Sequence, residues 1–188
     1  VFTVIYPVYS EATQGLPSKG ESMGIQRLNH AVLYVRDAAK SAEFYCRVLG
    51  FKEVANLDDR AIFLQAAGST NDHDLGLFSL GGNAANSAAG QTTVGLYHLA
   101  WEVDTLSELQ RIGELLSESG ALAGASDHGT TKALYARDPD GLEFEVSWLV
   151  PADMLHLEPG GMRTMPLNLA TSIKKFGAET PGGFGVSH

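Results

Sequence analysis

The sequence predicts an α+β fold made of two copies of one small module, each a strand, a helix and two or three further strands. Two observations carry this. LNHAVLYV at 28–35 returns as LYHLAWEV at 96–103, with leucine, histidine and valine at the same spacing and the histidines 68 residues apart. Each stretch is followed by an aspartate and an amphipathic run of helical period, then by short strand-like runs. Repetition of this kind implies two units packed about a pseudo-twofold axis.

The elements follow in order. Asp37 is placed to cap the first helix, AAKSAEFYCRVLGF, in which Phe44, Tyr45, Val48 and Leu49 share a face and Gly50 supplies the C-terminal stop. FKEVANL, AIFLQAA and LGLFSL then read as strands. GGNAANSAAGQ is small, polar and uncharged, so residues 81–93 are expected to link a first module at 25–80 to a second at 94–150. In the second, Asp104 precedes a helix whose apolar stripe is Leu106, Leu109, Ile112 and Leu116, ended by Gly120. Strands are expected around 121–126, at KALYARD and at LEFEVSWLV. Residues 1–24 are expected to be an extension outside the fold, with Met23 a candidate start and VFTVIYPVYS a poor match to a signal peptide. Residues 151–188 are expected to form a C-terminal extension, with a short helix at NLATSIKKF and a loose Gly- and Pro-rich tail at 179–188.

Bulk properties exclude some functions. A net charge of −9 argues against nucleic acid, which requires a basic face. No apolar run approaches the roughly 20 residues of a membrane span. The single cysteine, Cys46, permits no internal disulfide and fits a reducing, cytoplasmic compartment; on the first helix it reads as packing.

The repeated histidines are the chemical signal. Equivalent strands put His30 and His98 at equivalent positions, where a pseudo-twofold could face them across a shared cavity and a metal could hold both. The best third ligand lies in DPDGLEFEVSW. After its turn the strand alternates, with Leu142, Phe144, Val146 and Trp148 on one face and Glu143, Glu145 and Ser147 on the other. Glu145 is the deeper carboxylate, and a carboxylate mid-strand is costly unless paired or bound to a cation. From His98 to Glu145 is 47 residues; the same step from His30 lands on Leu77, and the nearest acid, Asp74, is off by three. The first module thus has its histidine and lacks its acid. Two His and one Glu with open positions suit non-haem Fe(II), and Mn(II) or Zn(II) could also occupy the set. His73 sits among polar loop residues and reads as solvated, and His156 and His188 as incidental.

LNHAVLYVRDAAKSAEFYCRVLGF, YHLAWEV and ALYARDPDGLEFEV, taken in order, resemble the vicinal oxygen chelate superfamily: glyoxalase I, bleomycin- and fosfomycin-resistance proteins and type I extradiol dioxygenases. The resemblance covers about 25–150 and implies paired βαβββ modules forming a cup-shaped barrel around a metal bound by His30, His98 and Glu145. Glyoxalase I carries an acid in both modules, so Leu77 is a departure from it. GASDHGTTKALYARDPDG is similar to small catechol 2,3-dioxygenase-like members, where a histidine ahead of this strand is an acid/base and a tyrosine ten residues before the Glu ligand binds the diolate. These match His128 and Tyr135. The resemblance therefore implies an extradiol dioxygenase acting on an aromatic diol and O₂, in a homo-oligomer. It leaves open a metal-dependent lyase, isomerase or epimerase and a small-molecule-binding resistance protein.

Overall fold

The computed structural model describes residues 24–25, 27–160 and 163–183; the expectations for residues 1–22, Met23 and His188 fall outside them. Two mixed sheets carry the expected repeat. The first module runs β1 (Ala31–Val35), α1 (Ala38–Leu49), β2 (Lys52–Asn56), β3 (Ala61–Gln65) and β4 (Leu75–Ser79), in sheet order β1-β4-β3-β2. The second runs β5 (His98–Glu102), α2 (Leu106–Glu118), β6 (Leu122–Asp127), β7 (Thr131–Arg137) and β8 (Glu143–Leu149), in order β5-β8-β7-β6. In each, the first strand pairs in parallel with the last, and the strands between are antiparallel. The two sheets remain separate in hydrogen bonding, so no closed barrel forms from the described residues.

Local chemistry sets the helix ends. Asp37 accepts a bond from the Lys40 amide at the start of α1, and Gly50 ends it with φ of 74°, a conformation that favours glycine. At the start of α2 the cap is Thr105, whose side chain accepts from the Glu108 amide. Phe44, Tyr45 and Val48 on α1, and Leu106, Leu109, Ile112 and Leu116 on α2, are buried. They pack with Phe144, Val146 and Trp148, the apolar face of β8, in one core shared by both modules. Trp148 is fully covered, so its truncation to alanine would cost about 3–5 kcal/mol.

Polar bonds from the Asp138–Gly141 turn join the modules. Arg36 Nη1 reaches Asp140 Oδ1 at 2.7 Å, and the Tyr45 hydroxyl donates to Asp138 Oδ2 at 3.2 Å. Burial raises the Asp138 carboxyl, against the amides of Leu142 and Asp140 that favour its charge. The turn is thus a clamp between modules.

The C-terminal extension holds more structure than its sequence suggested. A 3₁₀ turn (Ala152–Leu157) leads to a two-residue strand, β9 (Met165–Pro166), on the outer edge of β6, and then to the expected helix, α3 (Leu169–Phe176). The start of the tail is docked, not loose. The Trp148 indole donates to Thr180 O at 3.2 Å, and the amides of Gly182 and Gly183 donate to Asp104 O and Leu149 O.

Candidate functional site

Strand parity builds the site. On β8, Phe144, Val146 and Trp148 face the helices, which turns Glu143, Glu145 and Ser147 to the opposite face. Register places Glu145 beside Ala100 of β5 on one side and Tyr135 of β7 on the other, with His98 two residues along β5. His98 Nε2 lies 3.4 Å from Glu145 Oε2, and both side chains are largely covered. His98 Nδ1 is buried with no hydrogen-bond partner among the described residues. Glu143 lies 3.6 Å from Arg137 at the more open end of the strand.

The geometry of the pair suits a shared cation. Two ligand atoms bonded to one ion at about 2.0–2.2 Å lie about 3.0–3.5 Å apart. An imidazole with one nitrogen orphaned and the other only distantly opposed to a carboxylate is under-satisfied by protein alone. Among the described residues, however, no group of three or more His, Cys, Asp or Glu side chains is arranged to hold an ion.

Tyr135 and His128 join the same cluster. The Tyr135 ring lies 5.9 Å from the His98 ring, and its hydroxyl is 2.9 Å from His128 Nε2. His128 Nδ1 is 3.1 Å from the Arg163 carbonyl oxygen, which can only accept. A neutral His128 therefore carries its proton on Nδ1 and accepts the Tyr135 hydroxyl at Nε2. Burial raises the Tyr135 phenol above its ordinary value, and the Glu145 carboxylate pushes it further.

Arg163 is itself fixed. Its guanidinium meets Glu158 Oε2 at 2.6 Å, and Glu158 Oε1 receives Lys132 at 3.0 Å and Lys175 at 2.8 Å. Lys132 also reaches Asp127 at 2.7 Å. Burial alone would raise the Glu158 carboxyl, but hydrogen bonds from Lys175, Lys132 and Arg163 bring it down to about 2. Nothing in the sequence pattern pointed to this cluster, because its members come from β6, β7, α3 and the segment between the 3₁₀ turn and β9.

His30 is placed elsewhere. It is exposed just ahead of β1, with Nδ1 2.7 Å from Asn29 Oδ1, and its ring neighbour is His73 at 4.5 Å between centroids. The described contacts of His98 and Glu145 do not include it. His73 is not the solvated loop residue expected: its side chain is 18% exposed and also packs on Phe63, 5.0 Å away.

The two modules correspond in register, with one correction. Val32 pairs with Gly76 as Ala100 pairs with Glu145, and Phe63 faces Gly76 as Tyr135 faces Glu145. The counterpart of Glu145 is therefore Gly76, one residue from Leu77, which lies fully buried in the core.

A model of the Glyoxalase/Bleomycin resistance protein/Dioxygenase superfamily matches residues 27–146. Catechol-2,3-dioxygenase of Bacillus subtilis is 32% identical over 120 residues, which are 63% of this chain but only 40% of that protein. A virulence protein of Salmonella typhimurium is 29% identical over 128 residues, 68% of this chain and 88% of that one. Among solved structures, a glyoxalase/dioxygenase from Nostoc punctiforme aligns with a TM-score of 0.56 at 21% identity, over 71% of this chain and 97% of that one. The repeated modules, their register and the match across both histidine strands lead to one conclusion: this chain belongs to the glyoxalase/bleomycin resistance/dioxygenase superfamily.

Proposed function

We propose that the chain is a metal-dependent extradiol dioxygenase, opening a catechol-type ring beside its two hydroxyls with O₂, and that its centre is Fe(II) held by His30, His98 and Glu145. Mn(II) or Zn(II) would suit the same atoms less well for O₂ chemistry. The observation that carries it is the Tyr135–His128 hydrogen bond beside the His98–Glu145 pair, an acid/base relay next to a set of donor atoms. The identity to a catechol dioxygenase supports the substrate class.

The His30 ligand would come from a second copy of the chain. His30 and the His98–Glu145 pair fall in separate clusters. Nearby side chains are open: Val32 is 50%, Tyr34 70% and Tyr97 73% exposed. A twofold pairing uses the same patch on both copies, so one contact would complete two sites. The ring of the substrate would lie against these exposed aromatics, which also exclude water.

When bound, Fe(II) supplies the Lewis acidity that eases loss of the diol protons and the route by which electrons reach O₂. The protein manages position and protons. The Tyr135 hydroxyl holds a substrate oxygen. His128 Nε2, with its tautomer fixed by the Arg163 carbonyl, takes up a proton through Tyr135 and returns it as the ring opens. Both atoms of O₂ enter the product, so no external reductant is consumed. The lone cysteine supports a cytoplasmic setting for such an oxygen-sensitive centre.

The test is oxygen uptake by protein purified anaerobically and loaded with Fe(II), across a panel of substituted catechols. One O₂ per ring, with the visible absorbance of a ring-opened product, is expected. No uptake with any catechol would reject the dioxygenase in favour of a lyase, isomerase or epimerase on the same fold.

A further inference from the structure

We propose that the ion cluster around Glu158 is a positioning device for His128, in which Arg163, acting only through its hold on the main chain, decides which ring nitrogen of His128 carries the proton. The inference rests on the acid/base role given to His128 above. That role needs an Nε2 without a proton of its own, free to accept from Tyr135, and so an Nδ1–H with a fixed acceptor. The acceptor is a main-chain atom, the Arg163 carbonyl oxygen, 3.1 Å from Nδ1. It belongs to the extension after β8, outside the region matched to the family at 27–146.

The local backbone is a weak hold on that oxygen. β9 has two residues, and one of them, Pro166, has no N–H to donate. On either side of it, the Leu167 amide reaches Ala125 O at 3.5 Å and the Arg163 amide reaches His128 O at 3.2 Å. A ladder this short, with bonds this long, is marginal by itself. Charge holds what the ladder does not. Arg163 Nη2 meets Glu158 Oε2 at 2.6 Å and stands 3.7 Å from Asp127 Oδ2. Glu158 is a fixed anchor, since it is buried and also receives Lys132 and Lys175.

Lys132 brackets His128 on its own turn as well. Its ammonium donates to Asp127 Oδ1 at 2.7 Å and to Gly129 O at 2.9 Å, the residues on either side of His128. Asp127 Oδ1 also accepts from the Gly129 amide at 2.7 Å, which closes the turn. One cluster therefore grips both the turn that bears the imidazole and the segment that bears its acceptor. Thr164 Oγ1, 3.3 Å from Nδ1, is a second and longer contact to the same nitrogen. A hydroxyl can donate as well as accept, so Thr164 does not choose the tautomer; the carbonyl, which can only accept, does.

The test reads the His128 proton directly, by nitrogen NMR of the metal-free protein, in wild type, Arg163→Ala, Arg163→Lys and Thr164→Val. Oxygen uptake with catechols is measured on the same proteins loaded with Fe(II). Wild type and Thr164→Val are expected to show neutral His128 protonated on Nδ1. Arg163→Ala keeps the carbonyl but frees its segment. It is expected to gain the Nε2–H form and to lose about 10–100-fold in kcat with KM nearly unchanged, as displacement of a positioned group does. Arg163→Lys restores a charge that can meet Glu158 through one contact, and is expected to recover both readings. A pure Nδ1–H form in Arg163→Ala, an Nε2–H form in wild type, or an Arg163→Lys protein that behaves as Arg163→Ala would each overturn the inference. The expected tautomer changes without oxygen uptake by any sample, wild type included, would uphold the positioning and reject the dioxygenase alone.

Discussion

His128 is gripped at both ring nitrogens, by a carbonyl oxygen on one side and a phenol on the other. That grip separates its role from that of the proposed metal ligands. His128→Ala is expected to keep its metal and lose about 10²–10⁴ in turnover, the usual effect of removing a positioned acid/base. Steady-state oxygen uptake and metal content of the same preparation check this; wild-type turnover would remove His128 from the mechanism. Much of this cluster was legible in the sequence, because alternation along β8 fixes which face Glu145 takes and the hairpin then brings Tyr135 beside it. The place of Gly76 was not legible by counting. The second module has one residue more between its histidine and its acid, 47 against 46, so a fixed step overshoots to Leu77. His73 was hidden for a different reason: STNDHDL has the composition of a solvated loop, and only the tertiary network of Asn71 and Asp74 turns its imidazole inward.

At the scale of elements, the extension after β8 acts on the site from outside the matched family region. Glu158 is the hub, with a side chain only 2% exposed and three cations around it. Glu158→Gln leaves Lys132 buried with less compensation, and a loss of about 3 kcal/mol is expected, the lower end for breaking a buried pair. Chemical denaturation of the variant measures it. The acid dependence follows from the same carboxyl. Its value is about 2 in the fold against an ordinary 4.5, so its contribution is complete above about pH 4.5 and is lost as the pH falls toward 2. Stability curves of wild type and Glu158→Gln should therefore converge at low pH and stay apart near neutrality. The main helices and strands were readable from caps and periodicity. The 3₁₀ turn and β9 were not, since neither is long enough to carry a period and both are held by pairing to β6 and by the Glu158 cluster. The described start of the tail, 179–183, shows the same limit: its Gly and Pro content suggests a loose end, yet its backbone groups are bonded to β8 and to the residue ahead of the α2 cap.

At the scale of the whole molecule, the separation of His30 from His98 and Glu145 gives a test by mixing. If each centre joins the halves of two copies, a dimer of one His30→Ala chain and one Glu145→Ala chain has one intact centre and one doubly damaged centre. Random pairing of the two inactive proteins should then restore about a quarter of wild-type activity, since half the dimers are mixed and each has one working centre of two. Co-refolding followed by the oxygen-uptake assay reads this directly, and no recovery after verified exchange would place the centre within one chain. The open sheet has a second consequence. β1 reads AVLYV and has neither charge nor proline, among the described residues it pairs with β4 alone, and Val32 and Tyr34 stand exposed on it. An uncovered edge of that composition is a template for cross-β stacking, and the nearest gatekeepers are Arg36 and Asp37 beyond its end. Whatever covers this strand is thus also a colloidal safeguard, and an isolated chain held at high concentration is exposed to fibre growth from β1.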